Sequence, residues 1–286
     1  APWQAHPLIE AAIEVGGVPE DLSLEIHVYS AAPPGASIGT SAALTVALLG
    51  ALDTLSGQAR SLHEIALLAH QVETVKLGGQ SGIQDQLAAA FGGINFIEMD
   101  QFPRARVTAI RPAAWICREL ENRLLLVCLG RPHQSSRVHE EVVAHLGGSG
   151  YDDPRLERLR RTAAPARDAL LAGDFEALGR TFIENTEAQR SLHPGLVNKS
   201  AQQVIDIAEG YHALGWKVNG AGGEGGSVAL LMDGSAKDFH GFIRAVAEIG
   251  GIQVVKPRLA QDGLRRRKAG FLRTPSGLDS RSDSTS

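Results

Sequence analysis

Apolar and polar residues recur along the chain with two different periods, and each change of period marks a new element. Apolar residues at helical spacing predict helices over residues 7–13 and 62–75, the second with Val72 and Val75 on its buried side. Alternation at every second residue predicts a half-buried strand over residues 22–29. The first part of the chain is therefore expected to mix helices with strands.

The second part of the chain repeats this mixture in a recognisable order. A continuous apolar run over residues 124–129 predicts a fully buried strand. The elements predicted in the rest of the chain are strands at 94–99, 106–110, 227–232 and 252–256 and helices within 151–190, 198–214 and 236–249. From residue 124 the order is strand, helices, strand, strand, helix, strand, which is typical of a ferredoxin-like α+β domain.

The length of 286 residues allows one large or two ordinary domains, and we favour two. The predicted division places an N-terminal domain at residues 1–121 and a C-terminal domain at 122–264. The basic and serine-rich tail, 265–286, is expected to be disordered.

A loop of small residues stands between the predicted strand at 22–29 and a helix rich in alanine and leucine. Gly35 and Gly39 let the backbone approach a ligand closely, and Thr40 and Ser41 can cap the helix. Unpaired N–H groups at a helix start, together with the helix dipole, suit a phosphate. The alternative is a capped core helix after a tight turn, and the loop alone does not decide between the two.

Two acidic residues also have both a structural and a functional interpretation. Glu73 lies beside the apolar stripe of its helix, where a carboxylate usually forms a salt bridge. Asp85 precedes a short segment closed by Gly92 and Gly93, so it is expected to cap a short helix. On residue chemistry alone, the structural interpretation is favoured for both.

Composition narrows the class of partner. A formal net charge of −4 gives no general attraction to nucleic acid or to an anionic membrane, so a small molecule is the expected partner. The two cysteines, Cys117 and Cys128, lack metal-site spacing and indicate a reduced, cytoplasmic protein. No apolar run reaches the roughly 20 residues that span a bilayer. The chain opens on Ala1 rather than Met, and we expect a fragment whose beginning is missing.

Three stretches together resemble the GHMP kinases, the group that includes galactokinase, homoserine kinase, mevalonate kinase and phosphomevalonate kinase. Residues 34–43, Pro-Gly-Ala-Ser-Ile-Gly-Thr-Ser-Ala-Ala, are similar to the phosphate loop of that family. Residues 217–226 resemble its third motif, a glycine run before a strand. Residues 82–93 resemble the catalytic-aspartate segment of the sugar-kinase branch and look most like D-glycero-D-manno-heptose 7-phosphate kinases.

This resemblance implies a fold, a reaction and a set of site residues. The fold is a two-domain α+β kinase with a ribosomal protein S5 domain 2-like N-terminal domain, here truncated, and a ferredoxin-like C-terminal domain. The reaction is transfer of phosphate from ATP, with Mg²⁺, to a hydroxyl of a sugar or sugar phosphate, the anomeric one being favoured. The resemblance makes Asp85 the catalytic residue and Ser41 and Glu73 the Mg²⁺ ligands. The residues implied to bind ATP are Pro34, Gly35, Ala36, Ser37, Gly39, Thr40, Ser41, Gly222 and Gly223.

The sequence departs from the family pattern at three places. Thr40 replaces the first serine of the usual Ser-Ser pair, and Glu224 interrupts the glycine run. The family's N-terminal Arg-x-Asp motif is absent. Two alternatives therefore stay open, a galactokinase- or fucokinase-like specificity and a noncatalytic ligand-binding relative. A homodimer is also kept open.

Overall fold

Helices and one small sheet form the first half of the chain. The computed structural model describes residues 5–19, 21–33, 35–130, 135–147, 152–220 and 225–267. In the first half the elements are α1 (Pro7–Gly16), α2 (Thr40–Ser56), α3 (Leu62–Gln71), a π-helical turn (Val72–Lys76), α4 (Gln84–Phe91), β1 (Ile94–Gln101) and β2 (Arg104–Ile110). The strands β1 and β2 form an antiparallel pair, as predicted. No helix among the described residues has both the length and the apolar character needed to cross a membrane.

The core of this half lies between α1, α2, α3 and α4. Leu49, Leu52, Ile65, Val72 and Leu87 are almost completely buried there. Burial of one such side chain contributes about 1.5–3 kcal/mol to the stability of the folded state. This cluster therefore holds the first turns of these helices in fixed positions.

One residue of the predicted buried stripe is misplaced. Val72 is buried, but Val75 is 73% exposed. The reason is the π-helical turn Val72–Lys76, which changes the angular spacing of side chains after α3. The prediction of a regular helix to residue 75 was therefore wrong at its end.

The predicted strand at 22–29 was also wrong. These residues run without regular secondary structure, and no strand in the described part of the chain pairs with them. Leu24 and Ile26 still contact the core, whereas Val28 and Tyr29 are exposed. Alternating side chains fit one packed face, but a strand also needs a neighbour for its backbone hydrogen bonds.

A four-stranded antiparallel sheet organises the second half. Its elements are α5 (Ala114–Arg123), β3 (Leu124–Cys128), α6 (Ser135–Leu146), α7 (Pro154–Arg160), α8 (Ala163–Ala172), α9 (Phe175–Leu192), α10 (Lys199–Gly210), β4 (Gly215–Asn219), β5 (Ser227–Leu231), α11 (Ala236–Ala247) and β6 (Gln253–Val255). The strand order β4-β5-β3-β6 confirms the predicted ferredoxin-like order.

Neighbouring residues on each strand face opposite sides of this sheet. On one side Trp216, Val218, Val228 and Leu230 are buried in the main core with α10 and α11. On the other side Leu126, Cys128 and Ala229 pack against Ala36 of the first half. The second side therefore faces the loop of small residues that precedes α2.

The last described residues return to the first half. The N–H of Gly93 donates to the carbonyl of Ala260 over 2.6 Å, and the N–H of Leu264 donates to the carbonyl of Ala90 over 3.0 Å. Arg266 forms an ion pair with Asp53, which is 1% exposed. Arg266 of the predicted disordered tail thus contacts the first half, residues 265–267 are exposed, and the remainder of that tail lies outside the described residues. The predicted domain boundaries at 121 and 264 stay predictions.

Candidate active site

The loop before α2 has a backbone that few residue types adopt. Gly35 and Gly39 have φ values of 72° and 73°, and Ser37, which is not a glycine, has φ of 52°. Gly39 is the N-cap of α2, and no side chain caps this helix. The prediction that Thr40 and Ser41 cap the helix was therefore wrong. Without a side-chain cap, the first N–H groups of α2 remain available to an anionic ligand.

Asp85 lies directly beside this loop. It belongs to the first turn of α4, whose N-cap is Ile83, so Asp85 does not cap the helix as predicted from residue chemistry alone. A Cβ atom built on Gly39 would lie 3.0 Å from both the Cβ and the Cγ of Asp85. Only a glycine at position 39 allows this approach without displacing the aspartate.

Glu73 is held by the neighbour of Asp85. The side-chain amide of Gln86, which is 0% exposed, donates to Oε2 of Glu73 over 2.7 Å. The other carboxylate oxygen, Oε1 of Glu73, and Oε1 of Gln86 are both buried and lack a hydrogen-bond partner in the described structure. Buried oxygens without a donor are costly unless something else binds them.

These oxygens suit a hard cation, which accepts carboxylate, amide and hydroxyl oxygens. Among the described residues there is no cluster of three or more His, Cys, Asp or Glu side chains. Mg²⁺ commonly uses one or two protein groups and completes its shell with phosphates and water. The pairing of Ser41 with Glu73 at such an ion stays a prediction.

Charges around Asp85 act in opposite directions. Asp85 as a whole residue is exposed, but surrounding protein atoms displace water from its carboxyl group. This desolvation raises the pKa of Asp85, the Glu73 carboxylate raises it further, and the Lys217 ammonium lowers it in part. A carboxyl group with a raised pKa is a better proton acceptor.

The sheet of the second half lies against the loop before α2. We call the space between this sheet, the loop and Asp85 the groove. The hydroxyl of Ser227 is buried and donates to the carbonyl of Ala36 over 2.6 Å. The side-chain amide of Asn219 donates to the same hydroxyl over 3.1 Å. A Cβ built on Gly220 would lie 2.7 Å from the Cβ of Ser37, so the two loops are in close contact.

The structure thus brings most of the sequence-predicted residues together and leaves some outside. Ala36, Ser37, Gly39 and Asp85 lie around this groove through the contacts described above, and Gly35 belongs to the same loop. Glu73 is near enough to act on the charge of Asp85. Thr40 and Ser41 begin α2 at the same place. The predicted ATP-binding residues Pro34, Gly222 and Gly223 lie outside the described residues.

Sequence reasoning placed Lys217 and Asn219 in the third motif without giving either of them a role, and it missed Ser227 and Gln86. Lys217 had a usable signal, because it is the one charged residue in the strand Gly-Trp-Lys-Val-Asn, where alternation places it opposite the buried Trp216 and Val218. Ser227 and Gln86 gave no such signal, since a buried hydroxyl or amide becomes important only through its partner.

Two other cavities lie away from this groove. One, of about 350 Å³, is lined by residues of α7 and α9 that include Arg158 and Glu187. The second, of about 430 Å³, lies beside Arg123 and Phe175. Neither contains a residue of the glycine loops, so we place the candidate active site by the converging loops rather than by cavity size.

Comparison with known proteins identifies relatives of this chain. Residues 6–93 match the family model for the GHMP kinases N terminal domain. A D-glycero-alpha-D-manno-heptose 7-phosphate kinase of Campylobacter jejuni is 29% identical over 233 residues, covering 80% of this chain and 67% of the relative. A bifunctional fucokinase/GDP-fucose pyrophosphorylase of Arabidopsis thaliana is 28% identical over 236 residues, covering 79% of this chain but 22% of that protein.

A solved structure gives the same result for the fold. The D-glycero-D-manno-heptose 1-phosphate kinase of Bacteroides thetaiotaomicron superposes with a TM-score of 0.63 at 25% identity, covering 90% of this chain and 72% of the other. Residues 6–93 therefore resemble the N-terminal domain of the GHMP kinases, and the chain has the GHMP kinase fold.

Proposed function

We propose that this protein transfers the γ-phosphoryl group of ATP to a hydroxyl of a sugar or sugar phosphate, with the anomeric hydroxyl of a heptose 7-phosphate as the first acceptor to test. The observation that carries this proposal is the approach of Asp85 to Gly39, which sets a carboxylate beside an uncapped helix start. Phosphoryl transfer needs both parts, since the donor phosphate must be held in line with an activated hydroxyl.

In this proposal the N–H groups at the start of α2 bind phosphate oxygens of ATP. Gly35, Ala36, Ser37, Gly39, Thr40 and Ser41 form the loop, and Gly222 and Gly223 would complete the site from the other half. Mg²⁺ would be held by Ser41 and Glu73, for which the unpartnered Oε1 of Glu73 is the supporting observation. When bound, the ion neutralises phosphate charge.

Asp85 has the role of accepting or orienting the hydroxyl proton of the acceptor. Its raised pKa supports proton acceptance, because the affinity of the carboxylate for a proton increases with its pKa. The hydroxyl oxygen then attacks the γ-phosphorus, and the bond to the bridging oxygen of ADP breaks. Use of ATP as the donor accords with action in the cytoplasm.

A second acceptor class has specific support. The Arabidopsis relative is named a fucokinase, so fucose and galactose belong in the first panel of acceptors. A third possibility is that the protein binds its ligands without turnover, as the interruption of the glycine run by Glu224 suggests.

An ADP-release assay across heptose 7-phosphate, unphosphorylated heptose, fucose and galactose tests this proposal. We expect turnover with at least one sugar and a loss of about 10²- to 10⁴-fold in kcat for Asp85→Asn, the range that general-base catalysis contributes. The matched control is Asp168→Asn, an exposed aspartate on α8 paired with Arg167, which should keep wild-type activity. ATP binding without turnover on any sugar would support the noncatalytic relative instead.

A further inference from the structure

Lys217 occupies a position at which a lysine is hard to explain structurally. On β4 it lies between Trp216 and Val218, which are 8% and 2% exposed on the core side of the sheet. Lys217 therefore faces the opposite side, where its neighbour in register is Ala229, a residue packed with Ala36 of the phosphate loop. The lysine thus belongs to the wall of the groove that Asp85 faces.

The ammonium group of Lys217 is poorly compensated. Within the described residues its hydrogen-bond partner is the carbonyl of Val218, at 3.2 Å, and no salt bridge holds it. Burial lowers the pKa of Lys217, and the charge of Asp85 opposes this change. Asp85 therefore acts on Lys217 electrostatically without an ion pair between them.

A desolvated lysine that faces a desolvated carboxylate across a gap costs stability. Such an arrangement is typical of binding sites, where an anionic ligand supplies the missing partner. The ligand that fits this gap must carry negative charge toward Lys217 and offer a hydroxyl toward Asp85. A γ-phosphoryl group passing to an alcohol meets both conditions.

We propose that Lys217 is a second catalytic residue, whose ammonium group binds the γ-phosphoryl group of ATP during its transfer; this inference rests on the proposed kinase function. The acceptor oxygen forms the new bond to phosphorus, its proton goes to Asp85, and the electron pair of the broken bond stays on the ADP oxygen. Lys217 exchanges no proton. It stabilises the charge spread over the transferred group.

Nucleotide affinity gives the first test and requires no acceptor sugar. Lys217→Met should weaken binding of ATP roughly tenfold or more and leave ADP binding unchanged, because the lost contact is a charge-assisted one to the γ-phosphate. Lys217→Arg should retain most of the preference. Lys256→Met, which removes a lysine lying over the Phe239 ring of the same half, is the matched control and should bind both nucleotides normally. Equal losses for ATP and ADP, or none, would overturn the inference.

Turnover gives the second test. In Lys217→Ala, kcat should fall about 10²- to 10³-fold, the usual cost of removing one transition-state charge contact, while the acceptor KM stays within a few-fold. Added ethylammonium should restore part of the rate in Lys217→Ala and none in Asp85→Asn. A structural role alone would give no such rescue.

The outcomes separate the two levels of the proposal. If wild type turns over and Asp85→Asn does not, but Lys217→Ala keeps more than a third of kcat, the inference about Lys217 is wrong and the kinase function stands. If wild type shows no turnover, the function fails and the ATP and ADP affinities still decide whether Lys217 contacts a γ-phosphate. Should Lys217→Met fail to fold, Lys217→Arg and Lys217→Gln supply the same affinity comparison.

Discussion

The two sides of the four-stranded sheet use the same strands for different purposes. On the core side, Val228 and Leu230 of β5 are completely buried among apolar residues. On the groove side, Ser227 of the same strand donates to the Ala36 carbonyl of the loop before α2, and Lys217 of β4 lies where its charge acts on Asp85. Adjacent residues of one strand therefore face the core and the groove in turn.

The candidate active site therefore combines the loop before α2, in the first half, with side chains on one side of the sheet in the second half. Packing on the core side holds the strands in place. The polar side chains on their other side then lie against the loop before α2. Substitutions on the core side should therefore change stability with little effect on the folded protein's activity. Substitutions on the groove side should change activity with little effect on stability. Four experiments test this distinction.

The largest effect is expected on the core side. Leu230→Ala should lower the free energy of unfolding by about 2–5 kcal/mol, since it removes buried contacts and leaves a cavity. Denaturant unfolding measures this loss, and kcat and the ATP KM of the folded protein should stay close to wild type. A large change in KM at a temperature where the variant is folded would mean that the two sides are not separable.

Gly39→Ala tests the loop itself. The left-handed backbone at residue 39 should cost a non-glycine residue about 1–2 kcal/mol, and the new methyl group would also meet Asp85 at 3.0 Å. We expect a loss of turnover beyond what the stability change explains. Gly57→Ala is the matched control, because Gly57 has φ of 68° and no atom within 4 Å of a built Cβ; it should lose stability and keep activity.

Ser227→Ala tests the link between the halves. Removing the hydroxyl leaves the Ala36 carbonyl without this donor, and a net loss of about 1 kcal/mol in loop positioning would raise the ATP KM roughly fivefold. Thr186→Val supplies the comparison, since the Thr186 hydroxyl is also buried and donates to the Trp216 carbonyl, over 3.1 Å, at the edge of the sheet formed by β4. That variant should lose stability with an unchanged KM; equal KM values in the two variants would contradict the proposed link.

The smallest effect concerns pH. Because desolvation and the Glu73 carboxylate raise the folded-state pKa of Asp85 above its value in the unfolded chain, ionisation of Asp85 disfavours the folded state, and this cost grows as pH rises through the folded-state pKa. Asp85→Asn should therefore be inactive yet more resistant to denaturant than wild type at pH 7, and the advantage should vanish below about pH 4. Denaturation at both pH values measures it, and a variant less stable at pH 7 would contradict the charge balance around Asp85.

Much of the fold could be predicted from residue periodicity. The apolar run of β3 and the order of elements after it were enough for the ferredoxin-like arrangement, which the sheet order confirms. Periodicity failed at residues 22–29 because a strand depends on a neighbour, and at Val75 because a π-helical turn leaves no clear mark in the sequence. Both failures concern interactions that side-chain patterns do not record.

The candidate site could be predicted only in part. The small residues from Gly35 to Ser41 indicated an anion site, and the family resemblance supplied Glu73 and Asp85. The contact of Gly39 with Asp85 joins separate helices, so no local pattern contains it. The role of Lys217 depends on the register of β4 with β5, which the sequence alone left undefined.

The return of residues 260–266 to α2 and α4 has a consequence for synthesis on the ribosome. Leu264 fills the space beside Gly50 of α2, and its N–H bonds the carbonyl end of α4. The contact at the end of α4, the helix that carries Asp85, thus depends on a segment that is translated after every strand of the four-stranded sheet. Nascent chains halted before residue 260 should therefore lack this contact with α4, and the contact should form only after residue 264 has emerged.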